Sequence, residues 1–128
     1  SLTRIAIDPA TAGADADHPE ILRLEEGRYQ VGEHTFDRDA LIFDGGQVKQ
    51  VSLENPDGRR IVTMRCPDAR SVGIWSPSGM QAPFICLEPW IGRCDNSGFS
   101  GELKDKFDIQ VLEEGRIFET ALDLAIGE

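Results

Sequence analysis

Turn-forming residues cut this chain into short runs, and none of the runs has the length and periodicity of an amphipathic helix. The breaks are Asp8-Pro9, Glu25-Glu26-Gly27, Asp44-Gly45-Gly46, Asn55-Pro56-Asp57-Gly58, Ser76-Pro77-Ser78-Gly79 and Glu113-Glu114-Gly115. Each supplies a residue that tolerates positive φ or a proline that withholds an N–H, and both end regular structure. Between them lie apolar or alternating runs of strand length: residues 3–7, 21–24, 28–31, 40–43, 47–53, 60–66, 71–75, 84–88, 108–112 and 117–126. In residues 47–53, Val48, Gln50 and Ser52 alternate with Lys49, Val51 and Leu53, the period-two pattern of a strand. Hairpins are predicted across Glu25-Glu26-Gly27 and Glu113-Glu114-Gly115. Residues 10–19 read as an exposed loop, and only 101–106 offers a weak helical turn. The fold class that follows is all-β, an antiparallel sandwich or barrel without sequence repeats.

Charge and cysteine content narrow the function classes. A formal charge of −10 would repel the phosphates of nucleic acid, so nucleic acid is not an expected partner. The acidic residues are scattered and read as a solvated surface. No apolar stretch approaches the roughly 20 residues that span a bilayer as a helix, so no membrane partner is expected. The first residues read as a strand and not as a leader. Cys66, Cys86 and Cys94 lack CxxC spacing, which argues for reduced cysteines, against a thiolate zinc site, and for a cytoplasmic location. His18 and His34 are too few and too far apart for a metal cluster. No metal and no cofactor are expected.

The chemistry concentrates in residues 82–95. Glu88 stands at the end of the apolar run Phe84-Ile85-Cys86-Leu87, where an acid without a partner is costly to bury. Pro89 is predicted to end that strand. Trp90 adds a flat apolar surface on which a sugar ring can stack. An acid at a strand end beside an aromatic plate is the pattern of a carbohydrate site. The competing reading of Glu88 is structural, as a turn cap or a partner of Arg93. Trp90 is equally a stacking platform or a core plug, and Trp75 fits a rim or core position.

Phe84-Ile-Cys-Leu-Glu-Pro-Trp-Ile-Gly-Arg-Cys-Asp95 resembles the signature near the end of aldose 1-epimerases, the galactose mutarotases. His34-Thr-Phe-Asp-Arg-Asp-Ala-Leu-Ile-Phe43, Val72-Gly-Ile-Trp-Ser-Pro77 and Leu112-Glu-Glu-Gly-Arg-Ile-Phe-Glu-Thr120 are similar to other segments of that family, in the same order. The matches extend over roughly residues 30–128 and belong to the C-terminal half of such proteins. The resemblance implies that residues 1–128 are the C-terminal portion of one antiparallel β-sandwich domain, part of a mutarotase-like supersandwich.

It also implies an activity, the interconversion of α and β anomers of a hexose, with Glu88 as the catalytic base. Asp39 is the implied acceptor of hydrogen bonds from sugar hydroxyls, with Asp37 as its competitor; either residue also fits a turn. Trp90 and His34 complete the candidate substrate-binding set, although His34 fits a strand-flanking position equally well. Arg93 and Asp95 are candidates for a local ion pair that orders the loop, and Cys94 for inert packing. The family's acid is a histidine followed by proline and an aromatic, in an upstream part. His18-Pro19 echoes it without the aromatic, inside a polar loop. The upstream half, or a second chain carrying it, is therefore an implied partner beside the hexose. A non-catalytic sugar-binding module of the same fold is the alternative function. A hexose-phosphate epimerase is another, for which Arg93, Arg59, Arg60 and Lys49 are the basic candidates.

Overall fold

The computed structural model describes residues 1–80 and 82–127. It is nearly all strand and turn, and every strand pairing is antiparallel. The elements are β1 (Leu2–Arg4), β2 (Glu20–Leu22), β3 (Leu41–Phe43), β4 (Gln50–Glu54), β5 (Arg60–Arg65), β6 (Ser71–Trp75), β7 (Cys86–Trp90) and β8 (Asp123–Ile126). Short 3-10 turns lie at Ser78–Met80 and Leu103–Asp105, the second inside the segment expected to form a helical turn. β1 and β2 form a small ribbon, while β3-β6-β7 and β4-β5-β8 form two three-stranded sheets. Backbone hydrogen bonds between Ile5 and Ile42 tie the end of the ribbon to β3.

The two larger sheets face each other through a shared apolar cluster. Met64 and Cys66, on and just after β5, and Val51 on β4 pack against Val72 and Ile74 of β6 and Leu87 of β7. Alternation makes this possible, because Val51 lies opposite Met64 and Ile74 opposite Leu87, each pair on its sheet's inner face. A neighbouring cluster of Phe36, Leu41 and Phe43 continues the same layer under β3. On the far side of β3-β6-β7, a third cluster joins Ile42 and Ala40 to Ile5 and Ala14, with Trp75, Trp90, Ile7 and Ala16 packed around it. The sheet that carries Glu88 is thus apolar on both faces near its centre.

Three expectations are corrected. β7 does not stop before Pro89 but runs through it to Trp90. The strand lies at the edge of its sheet. The Trp90 carbonyl accepts from the Arg70 N–H, so Trp90 turns its polar backbone toward β6 and Pro89, one residue earlier, turns its nitrogen outward. An edge strand loses no ladder bond to such a proline. The C-terminal hairpin does not form either: residues 108–112 are not a strand, and β8 pairs with β5 instead. The turn at Glu26-Gly27 does form, with positive φ at both residues and reciprocal backbone bonds between Glu25 and Arg28. The expected strand at 28–31 is absent after it.

Candidate functional site

The register of β3-β6-β7 decides what surrounds Glu88. Glu88 lies opposite Gly73, Trp90 opposite Ser71 and Cys86 opposite Trp75. Gly73 in turn lies opposite Ile42. Cys86, Glu88 and Trp90 therefore share one face with Trp75, Gly73 and Ile42, the face turned away from the opposing sheet. The Glu88 carboxylate is half-buried there and has no hydrogen-bond or ion-pair partner among the described residues. Its expected alternative partner, Arg93, is engaged elsewhere. An acid that shares a face with two tryptophans and has no protein partner among the described residues can meet a ligand.

Gly73 makes this arrangement possible. A Cβ at that position would fall 2.6 Å from Cζ2 of Trp90 and 2.7 Å from Cη2, so the indole lies directly on the Gly73 backbone. Trp90 is half-buried against the Ile42 cluster, and the core-plug reading holds for the inner part of its ring. Trp75 packs on the same cluster and tilts against Phe84, with ring centroids 6.1 Å apart. A Gly73→Ala change is expected to destabilise the fold by about 1–3 kcal/mol through overpacking against a rigid ring. Thermal unfolding checks the loss, and a shift in tryptophan emission would locate it at Trp90. An unchanged melting point and spectrum would show that the indole does not rest on Gly73.

The other candidates lie elsewhere. Asp39 occupies the left-handed region (φ 63°) at the entry to β3, and its Oδ1 accepts from the Ala40 N–H at 2.7 Å. Asp39 precedes β3, whereas Glu88 lies opposite Gly73, which in turn lies opposite Ile42. Asp37 holds His34 through a 2.8 Å contact to Nδ1 and accepts from the Ser78 hydroxyl at 2.6 Å. Those hydrogen bonds, Ser78's first, keep the Asp37 carboxyl below its ordinary range. Asp39 and His34 thus make local hydrogen bonds in the turns ahead of β3, and none joins either of them to Glu88 among the described residues. His34 instead helps line a surface cleft of about 520 Å³ with Arg4, Glu20 and Tyr29. A second cleft of about 510 Å³ lies between residues 11–13 and 94–99. Glu88 lines neither of these clefts.

His18 is exposed in a turn, with Nδ1 2.8 Å from Asp15 Oδ1. That hydrogen bond, reinforced by the charge of Asp15, raises the imidazole pKa above its ordinary value. The interaction favours the folded state fully below the unfolded histidine pKa of about 6.5. Its contribution fades as pH rises through the higher folded value. In an NMR titration the His18 midpoint is expected above that of a free histidine and should fall back in Asp15→Asn. Equal midpoints in the two proteins would remove the Asp15 contact.

Arg93 pairs with neither Glu88 nor Asp95, the two partners the sequence offered. Its side chain is 1% exposed. The guanidinium carbon sits 4.2 Å from the centre of the Phe107 ring, Nη2 lies 3.4 Å from Asp44 Oδ2, and Nη1 donates to the Cys94 carbonyl. Asp95 pairs with Lys106 at 3.6 Å, not with Arg93. Arginine suits this place because its planar fork stacks on an aromatic ring and reaches a carboxylate at once. The loop that follows β7 is thereby pinned to the end of β3. Of the other basic candidates, Lys49 Nζ donates to the Pro67 and Ala69 carbonyls and Arg60 lies 3.5 Å from Glu54, while the Arg59 side chain has no such partner among the described residues. Among the described residues no His, Cys, Asp and Glu group is arranged to hold a metal ion, and no helix is long and apolar enough to cross a membrane. Comparison with known protein families, with curated proteins and with solved structures found no match.

Proposed function

We propose that this chain acts on the anomeric centre of a hexose, as the base-bearing portion of an aldose 1-epimerase in the cytoplasm. The observation that carries the reading is the Glu88 carboxylate, without a partner among the described residues, on a sheet face shared with Trp90 and Trp75. Sugar rings present C–H faces to aromatic plates and hydroxyls to carboxylates, and both groups stand together here. Glu88 takes the proton of the C1 hydroxyl while an acid protonates the ring oxygen. The bond between C1 and the ring oxygen breaks, and an open-chain aldehyde forms. Rotation about C1–C2 and closure with the two roles exchanged give the other anomer. No electron acceptor enters, because nothing is oxidised.

Neither His18 nor His34 lies on the strands of this sheet, so the acid is assigned to an upstream segment or a second chain that completes the supersandwich. Water supplies the proton, less efficiently, when that part is absent. The commitment of Arg93, Lys49 and Arg60 to protein groups favours a neutral hexose over a hexose phosphate. A sugar-binding module without catalysis is the second reading, because the same face can hold a sugar without an acid beside it.

Trp75 and Trp90 are the only tryptophans in the chain. Titration with galactose or glucose is therefore expected to shift both indole N–H resonances, with saturation. Shifts confined to residues around the His34 cleft, or no shift at all, would remove the hexose from this face.

A further inference from the structure

We propose that the cleft between residues 11–13 and 94–99 is a second saccharide site, which takes one neutral sugar unit apart from the Glu88 face. Neither Glu88 nor a tryptophan lines it. Its volume of about 510 Å³ falls within the roughly 300–1,000 Å³ of small-molecule sites. The two walls are remote in sequence, and bonds between them hold the cleft in shape. The Ala14 N–H donates to the Asp95 carbonyl and the Ser97 N–H to the Ala14 carbonyl, each at 2.8 Å. The Ser97 hydroxyl donates to Asp8 Oδ2 at 2.5 Å and lies 3.0 Å from the Thr11 hydroxyl. Gly13 allows this approach, because a Cβ there would fall 2.8 Å from the Ser97 backbone. A site already braced in this way has little left to order when a ligand enters.

The side chains along the cleft suit hydroxyl groups. The Asp95 carboxylate is half-exposed, and Lys106 Nζ stands 3.6 Å from it, too far for a hydrogen bond. Both groups therefore keep their capacity, one to accept from a hydroxyl and the other to donate to its neighbour. The Asn96 amide oxygen is buried without a hydrogen-bond partner among the described residues. That is a costly state, which a ligand hydroxyl relieves once the amide turns into the cleft. Phe99 is placed beside them by a turn, in which its N–H donates to the Asn96 carbonyl at 3.0 Å and Gly98 takes φ 79°. The Phe99 ring rests on Gly101, where a Cβ would fall 2.8 Å from Cε2, so the plate is fixed. A sugar ring offers C–H groups to such a plate and adjacent hydroxyls to the acid, the ammonium and the amide. The charges of Asp95 and Lys106 balance, which favours a neutral ligand over an anion or a cation. A small zwitterion would use the two charges but leave Phe99 and Asn96 idle.

The probes are the methyl β-glycosides of glucose and galactose, whose blocked C1 oxygen carries no proton for Glu88 to take. In NMR titrations they are expected to shift the Gly13, Asn96 and Phe99 backbone amides saturably, at low and high salt alike, and equally in Glu88→Gln. Asp95→Ala should weaken this binding at least about tenfold, as the loss of hydrogen bonds to a charged group does. Its circular dichroism spectrum should not change, because the side chain is half-exposed and the backbone carbonyl still accepts from Ala14. Phe99→Leu keeps an apolar side chain, removes the plate, and should also weaken binding. The assignment is overturned if neither glycoside shifts those amides, if the shifts persist at full affinity in both variants, or if glycine binds there as tightly. Shifts confined to the tryptophan indoles would overturn it too, while leaving the role of Glu88 intact.

Discussion

Glu88→Gln is expected to slow anomer exchange by about 10²–10⁴-fold, the usual worth of one positioned general base. The change keeps the shape of the side chain and removes only its ability to take a proton. Because the carboxylate has no hydrogen-bond or ion-pair partner among the described residues, no protein bond is broken and stability should hold within about 0.5 kcal/mol. Sugar affinity should also change little, since Trp90 and Trp75 remain in place. Glu88→Asp supplies the complementary test. It retains the charge but withdraws it by one methylene, so activity should fall below wild type and stay above Glu88→Gln. A glutamine variant that unfolds would instead mark Glu88 as a structural residue.

Ile42→Ala is expected to have the largest effect on stability, a loss of about 2–5 kcal/mol. Ile42 is fully buried at 0% exposure and joins three elements: it sits on β3, lies opposite Gly73 on β6, and exchanges backbone bonds with Ile5. It also underlies the face that bears Glu88 and Trp90. Small domains have about 5–15 kcal/mol in all, so the variant should melt on the order of 10 °C lower. Ile117, 84% exposed, provides the contrast, and Ile117→Ala should stay within about 0.5 kcal/mol of wild type. Urea unfolding of the two variants reads both values. Equal midpoints would mean that the cluster under Glu88 does not hold the sheet together.

The all-β class was legible because the breaks at Asp44-Gly45-Gly46, Asn55-Pro56-Asp57-Gly58 and Ser76-Pro77-Ser78-Gly79 are local chemistry. β6, at Ser71–Trp75, has the predicted bounds. What a strand pairs with depends on distant residues, and there the sequence misled. The Gly115 turn suggested a hairpin, whereas residues 123–126 find their partner some 60 residues upstream on β5. Pro89 reads as a terminator unless the strand is known to lie at an edge. Within the candidate site, Glu88 and Trp90 were readable together because they are two residues apart on one strand and so share a face. Asp39 was not readable in the same way. Its backbone is left-handed, and its carboxylate accepts from the Ala40 N–H just ahead of β3. Nor could local sequence reveal the burial of Arg93, which depends on Asp44 and Phe107 arriving from other parts of the chain.

The most direct measurement is polarimetry of freshly dissolved α-D-glucose and α-D-galactose with wild type and Glu88→Gln at equal concentration. A base at Glu88 requires wild type to speed the approach to equilibrium above the buffer rate, and the variant to fall back toward that rate. Equal rates with the two proteins would contradict a catalytic role for Glu88, and if the indole resonances still respond to sugar, the chain is a binding module.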